Sequence, residues 1–430
     1  MSKLVVISLC GALAAILANR GIAVFNDAVR PFAPEFIEGR MKRREFFATT
    51  FALSFGLVIG FGIPFSVMSP IILIHSLFLG TDIIGAALPG SPQKNPFKDS
   101  ISLVGVVGSG LVGAVYGALL VVGLGGFVDV METLPVSIGD NLSNMGEPVI
   151  FAFAVFPALA IAYQYTVRKG IVALTVIAIV RILAELQSTI DPDGLALLAG
   201  MIMLLVFALS ERNEGSDTSL KSLFSSRTRR IRRNLPWIAA MGGLYGVACN
   251  LAFVMEGPQS LLALKEGLDD NAVAITISRA LSFVPLKGMT SLSTGTFVTD
   301  GFGFVATVGL LSSGVIMAAI LGAVVISVEA LSLVAIAHVF DKFPGIREAA
   351  DNLRNAMTQL LELALIVGSM ITAHALIPGI GYMLIAGAYL LNETAGRPIV
   401  RMAIGPISVI VLGILVNILA WIGIYSPPTP

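Results

Sequence analysis

The sequence predicts an all-α, polytopic helical membrane protein of about 12–14 transmembrane segments, in two inverted halves with broken or re-entrant helices. Three observations carry that expectation. Of 430 residues, 56% are hydrophobic and only 13% are charged, about half the charge density of a soluble domain. Mean hydropathy is +0.90. The apolar residues fall in runs, and a bilayer core of about 30 Å needs about 20 apolar helical residues per crossing. A soluble enzyme is excluded, because so few charges cannot cover so large an aqueous surface. Lysine plus arginine balances aspartate plus glutamate at 27 each, so net charge points to no acidic or nucleic-acid partner. Cys10 and Cys249 both sit in apolar runs and read as core residues.

Seven apolar runs come first, at 4–19, 46–67, 70–88, 101–127, 149–166, 170–187 and 195–210. After a basic linker, runs resume at 236–255, 272–287, 301–340, 355–376, 379–391 and 403–425. The stretch 301–340 is long enough for two, which makes seven on each side. The pieces 272–287, 301–312 and 379–391 are short, so half-helices or re-entrant turns there would lower the full crossings to about twelve. The domains read as an N-terminal membrane half, 1–210, a basic cytoplasmic linker, 211–235, and a C-terminal membrane half, 236–430.

Charge sets the orientation. Arg20, Arg30, Arg40, Lys42, Arg43 and Arg44 cluster before the second run, and the linker carries Arg212, Lys221, Arg227, Arg229, Arg230, Arg232 and Arg233. Both belong in the cytoplasm by the positive-inside bias. Loops then alternate, placing 22 of 27 basic residues inside, a skew that a wrong topology would not produce. Both termini fall outside, in the periplasm of a bacterial inner membrane. The first nineteen residues resemble a signal peptide, but the basic cluster behind them argues for a retained helix. Segment 26–45 reads as a short interfacial helix, and the linker as a solvated connection touching anionic lipid.

An odd number of runs per half turns the second half over, the construction in which transporters bind solute on broken helices between halves. Thr81–Asp82 before Gly85 and Thr299–Asp300 before Gly301 suggest matched unwound segments. No nucleotide-binding motif, metal-ligand spacing or nucleophile elbow occurs, and three histidines are scattered, so neither cofactor nor metal nor enzymatic activity is expected.

Ionisable residues in apolar runs stand out, since a charge at a helix centre costs at least about 2.5–3.5 kcal/mol. Glu329 is the most isolated acid and Glu362 the next; both suit proton or cation coupling, against the plainer role of a hydrogen-bonded acid between helices. Arg181 and Glu185, four apart, pair with each other. The polar stretch from Arg279 through Thr290, Ser291 and Thr294 suits an anionic or polar ligand, or else an exterior loop. Asn352 and Asn355 lie three apart at the start of a helix, as caps or as solute contacts. Asn392–Glu393 interrupts the run at 379–391. The expected solute contacts are therefore Asp82, Thr81, Arg279, Thr290, Ser291, Thr294, Asn352, Asn355, Asn392 and Glu393, with Glu329 and Glu362 for coupling. Asp82, Glu329 and Asn392 should surround one internal chamber.

Ala23–Val24–Phe25, Asp27, Arg30–Pro31, Ile37–Glu38–Gly39 and Arg43–Arg44–Glu45 resemble the N-terminal signature of the YhfT family of bacterial inner-membrane proteins. Thr81–Asp82–Ile83, Phe283–Val284–Pro285–Leu286, Asp351–Asn352 with Arg354–Asn355–Ala356–Met357, and Leu391–Asn392–Glu393 with Gly396–Arg397–Pro398 extend the likeness along the chain. The resemblance implies a bacterial inner-membrane transporter, supplies no substrate, and favours Asp82 over Asp300.

The expected function is secondary-active, elevator-like transport of a small polar or anionic solute coupled to protons or sodium. Membrane lipids are the other partners, and a homodimer is left open. Two alternatives remain: the membrane subunit of a sugar phosphotransferase system, and an intramembrane enzyme or scaffold for a soluble partner.

Overall fold

A computed structural model describes residues 2–26, 29, 36, 41–89, 103–136, 139–187, 190–210, 229, 231–294, 297–298, 302–340 and 343–425. Most of the expected interfacial segment 26–45, most of the linker, and Thr299–Asp300 lie outside the described residues. The chain is helical, as its composition requires. In the first half α1 (Lys3–Asn19) is followed by β1 (Ala23–Val24), α2 (Arg43–Val67), β2 (Ile72–Leu73), α3 (Ile74–Ala87), α4 (Leu103–Glu132), α5 (Gly139–Gln164), α6 (Val167–Glu185) and α7 (Pro192–Ser210). In the second, α8 (Leu235–Asn250) leads to β3 (Val254–Met255), then three short helices, α9 (Pro258–Lys265), α10 (Asp269–Ser282) and α11 (Val284–Thr294). After β4 (Phe297–Val298) come α12 (Gly303–Leu311), α13 (Val315–Phe340), α14 (Pro344–Leu376), α15 (Gly381–Thr394) and α16 (Arg401–Trp421).

Among the described residues, seven helices are long and apolar enough to cross a bilayer: α2, α4, α5, α7, α13, α14 and α16; α1 and α3 are shorter apolar helices. The long run 301–340 does split in two, at Ser312–Ser313–Gly314 between α12 and α13.

Local chemistry explains the breaks. Pro64 has no N–H and would crowd the carbonyl four residues back, and α2 passes it through a π-turn at Val58–Gly62. At the end of α1, Gly21 adopts φ +58°, so Gly21 N–H donates to Ala18 and Ile22 N–H to Leu17, which closes the helix as a Schellman turn. At the end of α8 the same two bonds form, from Ala252 to Cys249 and from Phe253 to Ala248, although Ala252 must take φ +50° to make them.

That likeness continues. Asn19 Nδ2 donates to the carbonyls of Gly85 and Leu88, both at 3.0 Å, and ties α1 to the end of α3. Asn250 Nδ2 donates to Gly309 at 3.0 Å and Ser312 at 2.8 Å, tying α8 to the end of α12. Gly11 meets Gly113 backbone to backbone where α1 crosses α4, and Gly242 meets Gly322 where α8 crosses α13. Helix interfaces in lipid favour such small residues because backbones can then approach closely. The strands exchange between halves: β1 pairs in parallel with β4 and β2 with β3.

The packing forms two helix groups. One gathers α1, α3, α4, α8, α12 and α13 around the strands; the other gathers α5, α6, α7, α14, α15 and α16, with α5 against α14 as its spine. Between them, α2 packs on α3 and α16, and α10 packs on α12 and α7.

Candidate functional site

The outward faces of α4, α6, α13 and α16 are apolar, with Val104 and Ile316 each 75% exposed, while several polar side chains, Asp82 and Arg279 among them, are buried and hydrogen-bonded. Asp82, 3% exposed, accepts from the backbone N–H of Phe25 (3.1 and 2.9 Å) and Asn26 (2.8 Å). Its carboxylate therefore fastens the chain after β1 to α3. Thr81 beside it donates to Phe78 at 2.9 Å. The void they border, with Phe25, Phe78 and Met241, holds about 10 Å³, the room of a single water. The pair lies in the continuous helix α3 and not in an unwound segment; the chain breaks earlier, at β2. Three residues before Gly309, where the packing matches Asp82 before Gly85, stands Ala306, so Thr299–Asp300 is not the counterpart suggested by the dipeptide.

Arg279 is read from the sequence as a solute contact, yet it is 6% exposed and occupied. Its Nε donates to Glu256 (3.2 and 3.0 Å) and its NH1 to Asp191 at 3.2 Å. Arg181 pairs with Glu185 at 3.0 Å, as the spacing predicts, and with Asp193 at 2.8 Å. The result is an ionic network, buried at Arg279, Glu256, Asp191 and Asp193 and exposed at Glu185, that joins α6, the start of α7, the turn after β3, and α10. Sequence inspection missed Glu256, Asp191 and Asp193 because each sits at an element boundary, where an acid reads as a cap or a turn residue.

Glu329 is not isolated. Lys287 of α11 reaches it at 2.6 Å, and the second carboxylate oxygen of Glu329 is buried without a hydrogen bond. The pair lies at a groove of about 400 Å³ walled by Val284, Phe304, Val324, Val325, Val328 and Leu333. Glu362 accepts from Tyr389 at 3.3 Å and lies 3.6 Å from Arg401. Glu393 bridges Arg397 at 2.9 Å and Arg401 at 2.8 Å. Asn392 clamps the link between α15 and α16, donating to Ile399 O at 2.8 Å and accepting from Ile399 N at 3.0 Å. Thr290, Ser291 and Thr294 lie on the last turns of α11, and their side chains are outside the described residues.

The expectation of one chamber shared by Asp82, Glu329 and Asn392 is thus corrected: the three occupy separate places, each with its own partners. A hollow with polar residues in its lining lies elsewhere. A cleft of about 520 Å³ opens between α2 and α14, lined by Ala48, Thr49, Ala52, Leu53, Arg354, Asn355, Thr358 and Gln359. Of the residues singled out in the sequence, it contains Asn355; Asn352, on the same helix, is half-buried outside the lining.

An apolar exterior around an interior of ion pairs and hydrogen-bonded polar side chains defines a polytopic α-helical membrane protein. The chain belongs to the YhfT family, described as a protein of unknown function, whose pattern matches residues 3–425. It is 34% identical to the Uncharacterized protein YhfT of Escherichia coli (strain K12) over 443 residues, covering 99% of each chain. No solved structure matches it.

Proposed function

We propose that this protein is a secondary-active transporter of a small polar or anionic solute in the bacterial inner membrane, working by alternating access. The observation that supports this reading is the recurrence of one packing scheme in the two halves: matched helix crossings, matched asparagine ties and exchanged strands beside the short helices α3 and α12. With seven helical units before the linker and seven after it among the described residues, counting α9–α11 as one, the second half enters the membrane in the opposite sense. Such a pair of inverted halves gives two arrangements of similar energy, open to opposite sides.

The seam between the helix groups is shut at one place and open at another. Where α10 meets α7, Arg279 and Asp191 join the helix groups. In the other half α2 packs on α16, the counterpart of α7, and a cleft remains beside it against α14. Arg43 and Arg354 lie at the cleft's end of these helices, which the positive-inside bias assigns to the cytoplasm. This conformation then reads as open inward and shut outward. Glu329 is the coupling acid in this reading, because its protonation would release Lys287.

Reconstitution tests the reading. Proteoliposomes containing only this protein should accumulate a labelled solute from a panel of sugars, sugar acids and amino acids when a proton or sodium gradient is imposed. Collapse of the gradient should abolish accumulation. Accumulation solely as a phosphorylated product, dependent on added phosphocarriers, would replace the proposal with the phosphotransferase alternative. Chemical turnover without flux would replace it with an enzyme.

A further inference from the structure

We infer that a second cleft, where α1 begins and α2 and α4 end, holds one phospholipid with a zwitterionic headgroup: its phosphate at Lys3, its ammonium at Asp129 and an acyl chain along α4. This site is separate from the α2–α14 cleft and independent of the transport reading. Its volume is about 410 Å³, in the range of small-molecule sites. Two neighbouring rows of α4 build its long wall, Leu120, Leu124 and Val128 in one, Val121, Gly125 and Asp129 in the other. Steps of four residues keep each row on one helical face. Gly125 is a gap in that wall, since a β-carbon there would meet nothing within 4 Å. From Leu120 to Val128 the apolar wall runs about 12 Å at the α-helical rise. The hydrocarbon of one leaflet is about 15 Å deep, so the trough suits an acyl chain in length. Leu119 and Val122 of the same helix are 62% and 65% exposed, so lipid reaches the trough from the side.

The charges at the mouth select the headgroup. Lys3 and Asp129 are the charged residues of the described lining, and they form no ion pair with each other. Lys3 donates one hydrogen of its ammonium to Pro70 O, and an ammonium carries three. Ser69, next to Pro70, accepts from Ile71 N–H at 3.2 Å, a bond that does not use its own hydroxyl hydrogen. These donors suit a phosphate. The Asp129 carboxylate is exposed and can only accept, which suits an ammonium. A headgroup bearing a phosphate alone would be repelled at Asp129, and a cation alone would be repelled at Lys3. A zwitterion meets both. A small soluble zwitterion would leave the apolar trough uncovered, whereas the chain of a phospholipid fills it.

The test uses the full chain, purified in detergent and stripped of lipid, with phosphatidylethanolamine and phosphatidylglycerol of matched acyl chains as probes. Native mass spectrometry should show phosphatidylethanolamine retained about 2- to 5-fold more than phosphatidylglycerol, the weight of one ion pair open to water. Asp129→Asn should remove that preference. Lys3→Gln should weaken both lipids alike, because both carry the phosphate. Gly125→Leu, whose side chain grows into the open trough, should abolish the retention of either. Each variant must elute from gel filtration as the wild type does; if Gly125→Leu does not, the exposed substitution Asp129→Asn decides alone. Equal retention of the two lipids by the wild type, a preference that survives Asp129→Asn, or undiminished retention in a folded Gly125→Leu would overturn the site. Displacement of the lipid by an equal concentration of phosphoethanolamine, the headgroup without its chains, would overturn the lipid as its occupant.

Discussion

Ala252 occupies a backbone position that belongs to glycine. It holds φ +50° where the matching residue of the first half is Gly21 at +58°. A β-carbon in this region crowds the following carbonyl by roughly 1–2 kcal/mol. Ala252→Gly should therefore raise stability by roughly 0.5–1 kcal/mol after the added freedom of the unfolded chain, while Gly21→Ala should lower it by a similar amount. Melting of the purified protein reads both, and a lower midpoint for Ala252→Gly would show that the turn is not strained. At Asp82 the prediction has the opposite sign. Asp82→Asn replaces a charged acceptor of two backbone N–H groups by a neutral one and should cost about 1–3 kcal/mol, read in the same way. Glu329→Gln should leave solute exchange intact and abolish gradient-driven uptake; retained coupling would exclude Glu329 from that role.

Elements are joined by the ionic network around Arg279. Glu256 is 1% exposed and Asp191 1%, so removing their shared cation takes an ion-pair partner from two buried carboxylates. Arg279→Met should cost about 3–5 kcal/mol, and replacing Glu256 and Asp191 as well by leucine should recover most of it. Failure of the triple replacement to recover stability would mean that Arg279 acts through its packing on Phe283, over whose ring its guanidinium sits at 4.6 Å. The network was half legible in the sequence. Arg181 and Glu185 share a helix, where spacing of four fixes their contact. Arg279, Glu256 and Asp191 come from three elements, and only packing brings them together. The same limit applies to Lys287, 42 residues from Glu329 along the chain, whose contact turns an isolated acid into an ion pair.

Over the whole molecule, the proposed alternating access would require the two helix groups to move against each other, with α2 and α14 on the seam. Ala52→Cys with Thr358→Cys, bridged across the cleft by a bismaleimide, should stop flux. Asn141→Cys with Thr372→Cys, bridged within the second group where Thr372 donates to Asn141 O at 3.3 Å, should leave flux unchanged. Inhibition by both crosslinks alike would show that the seam is drawn in the wrong place. Native Cys10 and Cys249 are buried and do not compete for the reagent.

Composition and run length by themselves determined that this chain is an all-α membrane protein of many helices and that 301–340 divides in two. These follow from transfer energies, which add residue by residue and need no knowledge of neighbours. The tertiary structure alone decided the correspondence between the halves. Asn19 matches Asn250 and Gly21 matches Ala252 through bonds made by backbone atoms, which many side chains permit, so little of it is written in residue identity. It decided the candidate site as well. Asp82 and Arg279 look like ligand contacts one at a time and prove to be engaged within the protein. Arg354 and Thr358 became prominent only when α2 was seen to leave space beside them, because a cleft is a property of two surfaces and not of either sequence.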